Sequence, residues 1–575
     1  MQLQKKHSLK MKYKEDLLFS FLFLVTAVFL FWKCRYGIGN IDESFYLTVP
    51  YRLLQGDGLF VHEWHLSQMA GVLTMPFLWI FTSLNHGTDG IILAMRIFTT
   101  CVQCFIGIML YLRMRKYHWM GAVCASLCFV LYIPFGIMAL SYNSMGIMLM
   151  VLSGILILSE GRKKRFLYVG AGLCFAGAVL CCPYLVLVYI LYSCTVLIRT
   201  ILCKKKQEQV QDDSIWSMER WIFFTLGTVI AALLFTIFVL SRASLEKILL
   251  AFSQIMNDPE HPPVSLTAKL ISYLKWTYGA TSRAPSINSV LLALLAVCIL
   301  DAKRKNHKEI YFVITAICTI MLMFSHYQQI DYINAVMWPV NMLALFIVLL
   351  TEEKRIKDIF YCFWLPGILY SYCLHLTSNQ TILAICSASS VAVVGTVMML
   401  GMFVKELLIM HEQSKLFERC IFFLLCAVFC LQLWIQADLR YRSVFWENSM
   451  EEQTELMEEG IQKGLFVTPY RKEVYEKALD NLREIEKYNG NKVLYLSENT
   501  WYYLAKDYEM ATYSAWLSGV NEHSLNRLQA YYELSPDKLP DIVYADLESE
   551  EMVRLFVQMF EYEIRENEGR WILTK

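Results

Sequence analysis

Apolar runs recur along most of the chain, from Leu17–Trp32 to Cys420–Gln436, each near the length that crosses a hydrocarbon core. A chain with so many such runs has few folds open to it. Inside a bilayer every backbone N–H and C=O must be satisfied within the segment, so the runs are read as helices packed into a bundle. The composition agrees: 575 residues are 56% hydrophobic and only 18% charged. Between the first and last runs lie Gly90–Leu112, Trp119–Leu140, Tyr142–Leu158, Phe166–Cys182, Tyr184–Leu202 and Trp221–Leu240. Ile287–Leu300, Ile310–Phe324, Tyr332–Leu350, Ile359–Leu376 and Ile382–Val404 complete a set of about thirteen. No small-residue cleavage pattern follows Leu17–Trp32, so it is read as a retained span and not a removed signal peptide.

Loop charge sets the sidedness. The N-terminus carries Lys5, Lys6, Lys10, Lys12 and Lys14, and alternate loops are basic: Arg113/Arg115/Lys116, Arg162 to Arg165, Lys204 to Lys206, Lys303 to Lys305, Lys354/Arg355/Lys357 and Lys405/Lys415/Arg419. The short connectors around Leu140, Pro183, His326 and Thr377 carry no Lys or Arg. By the positive-inside rule the N-terminus is cytoplasmic and the C-terminal tail extracytoplasmic, which requires a chain break at Cys182-Pro183. The reading is a multi-pass plasma-membrane protein. Residues 1–436 form the membrane domain and 437–575 a soluble extracytoplasmic α/β domain, with outer loops 33–89 and 241–286. A net charge of +1 gives no field that would attract nucleic acid.

All eighteen cysteines lie between Cys34 and Cys430, mostly inside spans, where they act as small apolar residues. The lone CxxC, Cys101–Cys104, has no partner pair and is read as packing. The cysteine-free tail must stand on its own core. In it, Glu451–Gln462 and Tyr470–Tyr488 read as helices, Gly464–Thr468 as extended, and KVLYLS and PDIVYADL as buried strands of a small open parallel sheet. No nucleotide fingerprint is present, so the tail is read as scaffold or acceptor dock.

The first outer loop holds the chemistry. Asp42-Glu43 opens "IDESFYLTVPYRLLQGDG", with an amphipathic helix from Phe45 to Leu54. "HEWHLSQMAGVLTMPFLWIF" then reads as an interfacial helix with Trp64 and Trp79 as headgroup anchors. Taken alone, an acidic pair before a helix is a solvated cap. Arg96, in the outer half of the next span, alters that balance. A charge there costs about 2.5–3.5 kcal/mol, so it snorkels, lines a cavity, or pairs with a carboxylate or phosphate. His62-Glu63-Trp64-His65 lacks the i, i+4 histidines of a zincin helix; Glu63 and His65 are instead candidate substrate contacts.

The acidic pair in DExxY form (Asp42-Glu43-Ser44-Phe45-Tyr46), the RLLQGDG that follows, the proline-bearing segment Met75-Pro76-Phe77 and the span opening around Arg96 resemble the GT-C membrane glycosyltransferases. The nearest branch is that of protein O-mannosyltransferases and lipid A aminoarabinose transferases. The family's lysine-proline-proline motif is absent; GVLTMPFLW stands there. The resemblance implies a GT-C-like bundle of about thirteen helices with an outside α/β domain. It also implies transfer of a sugar from a polyprenyl-phosphate carrier to a glycan, lipid or protein acceptor of the envelope. Asp42 would be the base by carry-over, while Glu43 orients it or joins Asp42 in holding a divalent cation, magnesium or manganese. Arg96 would face the lipid phosphate, with Lys269, Lys275, Arg283 and His261 of the second outer loop behind it. A transporter or lipid flippase is the alternative from another class, and a non-enzymatic envelope-assembly protein a third. The charges cluster at the outer face and not mid-span, which favours the enzyme.

Overall fold

The computed structural model describes residues 2–160, 164–206, 214–258, 264–281, 285–301, 308–329, 338–378, 381–410, 415–442, 449–517, 520–546, 550–567 and 570–575. Helix α1 (Gln2–Lys33) leads to two outer-loop helices, α2 (Asn40–Leu54) and α3 (Gly71–Asn85). Then come α4 (Ile91–Met114), α5 (Trp119–Leu131), α6 (Tyr142–Ile157), α7 (Lys164–Cys181), α8 (Val186–Lys206) and α9 (Met218–Leu240). The second outer loop forms α10 (Leu245–Met256) and α11 (Leu266–Thr281). The bundle closes with α12 (Pro285–Asp301), α13 (Lys308–Gln329), α14 (Trp338–Leu350), α15 (Lys354–Ile359), α16 (Leu365–Thr377), α17 (Thr381–Ala388), α18 (Ser390–Met410) and α19 (Lys415–Arg442). Among the described residues nine helices are long and apolar enough to cross a membrane, and four shorter apolar ones join them. Together they correspond to the thirteen runs read from sequence.

Proline and glycine explain the local departures. Pro183 stops α7 and starts a single 3-10 turn, Pro183–Leu185, before α8, so the expected break is present. The run Trp119–Leu140 is helical only to Leu131; Pro134 and the left-handed Phe135 (φ 58°) turn its outer end into a buried, irregular segment up to Ser141. Helices α7 and α9 pack backbone to backbone. A Cβ on Gly172 would lie 2.0 Å from Phe224 O, and one on Gly227 2.1 Å from Val169 O. The opposite faces of α8 and α9 expose Leu191, Ile198, Leu233, Leu234 and Ile237, as lipid-facing surfaces should.

The tail begins later than expected, because α19 runs through residue 436 to Arg442. Its first expected helix is absent. Glu451–Gln462 has good helix formers, but only Met450–Glu452 makes a 3-10 turn. A hairpin follows, β1 (Glu455–Leu456) against β2 (Phe466–Val467). Gly460 and Gly464 take φ of +68° and +87° there, which lets Met457, Ile461 and Leu465 point into one core. Helix α20 (Pro469–Ile485) forms as read, its Thr468 Oγ1 accepting from Arg471 N–H. The main sheet is mixed and not parallel: order β4 (Glu509–Met510), β3 (Lys492–Leu496), β5 (Ile542–Ala545), β7 (Arg570–Thr574), β6 (Glu563–Asn567). The β3–β4 and β3–β5 pairs are parallel; β5–β7 and β6–β7 are antiparallel. Helices α21 (Tyr502–Ala505), α22 (Glu522–Leu534) and α23 (Glu550–Phe560) complete the layer.

The tail's core is not its own. Phe45, Tyr46, Ile91 and Met95 share one buried cluster with Met457, Tyr475, Tyr495 and Tyr544. Phe466 pairs with the backbone after α1, donating its N–H to Arg35 O (2.7 Å) and accepting from Gly37 N–H (2.8 Å). Trp64, expected at the headgroups, is 1% exposed and buried against Tyr513 and Tyr531 of the tail. Trp79 on α3 is 61% exposed, as an anchor requires.

Candidate active site

Helix α2 starts at Asn40, earlier than the sequence suggested, which puts both acids of the pair in its first turn. Anionic side chains are favoured there by the helix dipole. The two diverge from that point. Glu43 is fully buried: Oε2 accepts from Gly39 N–H (2.9 Å), and both oxygens accept from Arg96, Oε1 from Nε at 2.5 Å and Oε2 from Nη2 at 2.7 Å. Arg96 also donates to the carbonyls of Cys34 (2.9 Å), Tyr36 (3.3 Å) and Gly37 (2.9 Å). The guanidinium therefore ties the first turn of α2 to the backbone leaving α1. This is the carboxylate partner that an arginine in α4 needs, and it commits the fork away from a lipid phosphate.

Asp42 makes no hydrogen bond or ion pair among the described residues, and it is half-buried. Burial, and next the neighbouring Glu43 charge, push its carboxyl up to about 6. Tyr46 and Tyr142 lie within electrostatic range, their rings edge to face at 5.8 Å, and both line a small crevice with Ser67, Thr74 and Met145. The tail reaches over the same turn. Thr500 Oγ1 lies 2.6 Å from Ser44 Oγ and donates to Ile41 O (2.8 Å).

Two further acids of the loop, Asp57 and Glu63, hold the tail down. Arg52, fully buried, donates to Asp57 Oδ2 (2.6 Å), Glu63 Oε2 (3.1 Å), Tyr531 Oη (3.1 Å) and the Thr512 carbonyl. Lys538 joins at 2.5 Å from Asp57 and 2.5 Å from Glu509. Burial alone would raise Asp57, yet Arg52 and Lys538 hold it below the usual carboxylate range; for Glu63 burial wins and its carboxyl is raised. Glu63, expected to meet substrate, is thus a docking residue. His65 sits between Phe45 (4.6 Å) and Trp516 (6.0 Å, stacked), its Nδ1 2.8 Å from Ser67 Oγ. It borders the crevice through Phe45 and Ser67.

The second outer loop goes elsewhere. Lys269 on α11 donates to the carbonyls of His375 (3.1 Å) and Ser378 (2.8 Å), capping the C-terminal end of α16. Lys275 is exposed beside the Trp276 ring. His261 and Arg283 lie outside the described residues. Two cations that the sequence reading passed over lie close to Arg96. Lys33 is fully buried with Nζ 2.8 Å from the Tyr441 carbonyl, and Arg440 is 1% exposed with Nε and Nη2 unpartnered among the described residues. Both stand at helix ends, where a basic residue ordinarily reads as a snorkelling flank.

A divalent cation shared by Asp42 and Glu43 does not fit this arrangement, because both Glu43 oxygens face Arg96. Among the described residues no three His, Cys, Asp or Glu side chains gather to hold a metal.

Fold and site define a polytopic helical membrane protein whose extramembrane α/β domain covers a carboxylate unpaired among the described residues. No protein-family model matches the chain, and no curated protein does. It is similar to two solved structures of ArnT from Cupriavidus metallidurans. The one bound to undecaprenyl phosphate gives a TM-score of 0.46 and 10% identity over 97% of this chain and 97% of that chain. The apo structure gives 0.45 and 14% over 98% of each.

Proposed function

We propose that the chain is an integral-membrane glycosyltransferase that moves a sugar from a polyprenyl-phosphate carrier to an acceptor hydroxyl at the outer face, with inversion. The observation that carries this is the contrast among the four acids from Asp42 to Glu63. Glu43, Asp57 and Glu63 are buried in ion pairs, whereas Asp42 has no partner among the described residues, is half-buried and sits on a turn fixed by its neighbour.

A carboxylate near pKa 6 is ionised at neutral pH yet basic enough to accept a proton. Asp42 takes the acceptor's hydroxyl proton as that oxygen attacks the anomeric carbon. The bond from that carbon to the phosphate oxygen breaks, and its electron pair leaves with the polyprenyl phosphate. Arg440, buried with Nε and Nη2 unpartnered among the described residues, is the cation open to the charge that builds on the phosphate. Glu43 and Arg96 are positioning residues. The roof formed by the tail at Thr500 would restrict which acceptors approach.

The assay is transfer of radiolabelled sugar from polyprenyl-phosphate donors in membranes. Its pH profile is a prediction: transfer rises with pH through about 6 and levels off above, as Asp42 loses its proton. A rate flat from pH 5 to pH 8 would remove Asp42 from the role. Sidedness is a second prediction. Single cysteines at Gly56 and Glu498 should react with an impermeant thiol reagent added outside, and one at Lys204 should not. The reverse pattern would put the site on the wrong face for an envelope acceptor.

A further inference from the structure

At the end of the bundle formed by the basic loops, α6, α7, α8, α9 and the π-helical turn Phe360–Trp364 between α15 and α16 enclose a cavity of about 310 Å³. That volume is at the lower end of the roughly 300–1,000 Å³ typical of small-ligand sites. Its walls are aromatic and aliphatic, among them Tyr189, Tyr192, Trp216 and Tyr361. Four of the five hydroxyls that line it are already used. Ser153 donates to Ala171 O, Thr195 to Leu191 O and Tyr192 to Ile215 O, and Tyr189 Oη lies 3.1 Å from Thr225 Oγ1. A polar ligand would find few free partners on those walls; a hydrocarbon chain would lose nothing by entering.

The mouth is cationic. Arg199 is exposed with its guanidinium 5.9 Å from the centre of the Trp216 ring, and Arg220, 2% exposed, donates to Ile157 O (2.8 Å). Lys354 and Arg355 complete the surroundings of one carboxylate, Asp358, though Arg355 is engaged by Glu160 at 2.6 Å. Basic pockets between helices on the positive-inside face suit anionic lipid headgroups. The π-helical turn, a feature often found at functional sites, opens the wall at Tyr361 and Cys362.

We propose that this cavity binds an anionic phospholipid of the basic-loop leaflet, one acyl chain inside and the phosphate against Arg199. The sugar donor is a poorer occupant, because its own anion would belong at the opposite face, beside Asp42. The proposal rests on the sugar-transfer reading only in setting the donor aside; the phospholipid arms of the test do not depend on it.

The test uses the full chain in delipidated detergent micelles and follows the thermal unfolding midpoint. Dioleoylphosphatidylglycerol should raise the midpoint saturably in wild type, while dioleoylphosphatidylcholine and inorganic phosphate should not. Arg199→Gln, an exposed change, should lose the phosphatidylglycerol shift, and Trp216→Leu should weaken it. Equal shifts with both phospholipids, or an undiminished shift in Arg199→Gln, would overturn the proposal. So would protection by polyprenyl phosphate alone that depends on Arg199, since that would make the cavity a second donor site.

Discussion

Replacing Asp42 with asparagine is expected to lower sugar transfer by on the order of 10²–10⁴, the range typical for loss of a general base. The change preserves shape and hydrogen-bonding capacity but removes proton affinity. Its second consequence runs the other way. Asp42's folded-state pKa is raised above the ordinary value of 3.8 to about 6. Folding is therefore disfavoured by this group as pH rises through that interval, and the cost is complete above about 6. At one pKa unit per 1.36 kcal/mol, the cost is at most about 3 kcal/mol at pH 8. Asp42→Asn removes it. The variant should be inactive and no less heat-stable than wild type in detergent at pH 8. An inactive variant that also unfolds earlier would point to a structural acid, and a fully active one would make the residue an ordinary solvated cap.

Arg96→Met should be the most damaging single change outside the reacting group. It leaves Glu43 buried with only Gly39 N–H as a partner among the described residues, and breaking a buried pair from one side typically costs about 3–5 kcal/mol. The unfolding midpoint in detergent should fall, and transfer should fall with it because the first turn of α2 loses its tie to the chain leaving α1. Combining Arg96→Met with Glu43→Leu removes the orphaned charge and should recover stability without recovering transfer. Recovery of both would mean that the pair is not needed to hold Asp42.

The membrane half was legible because its signals are local. Length and hydropathy mark each helix, and Pro183 breaks the chain where the charge alternation requires. An arginine inside a span likewise announces that a partner exists, and Glu43 is that partner. What escaped is non-local. Nothing around Arg52 indicates that its partners include Thr512 and Tyr531, and without them Asp57 and Glu63 look like solvent-facing acids. Trp64 reads as an interfacial anchor until Tyr513 is placed against it. Glutamates at 451, 452, 455, 458 and 459 favour a helix locally, but Met457, Ile461 and Leu465 gain more by burying together in a hairpin. The terminal β6–β7 hairpin was missed for the same reason, since its pairing with β5 reverses direction in a sheet that otherwise reads as parallel.

The joining of Arg52 to Thr512, and of Gly37 to Phe466, has a consequence for biogenesis. The loop bearing Asp42 is synthesised well before its lid, since Thr500 follows Ser44 by 456 positions. Until the tail is made, the early loop has no roof and Arg52 lacks its Thr512 and Tyr531 partners. Truncated or stalled products would therefore carry the reactive carboxylate in an unfinished setting. Completion of the site therefore waits on the tail, and the unroofed loop is the form open to misassembly in the meantime.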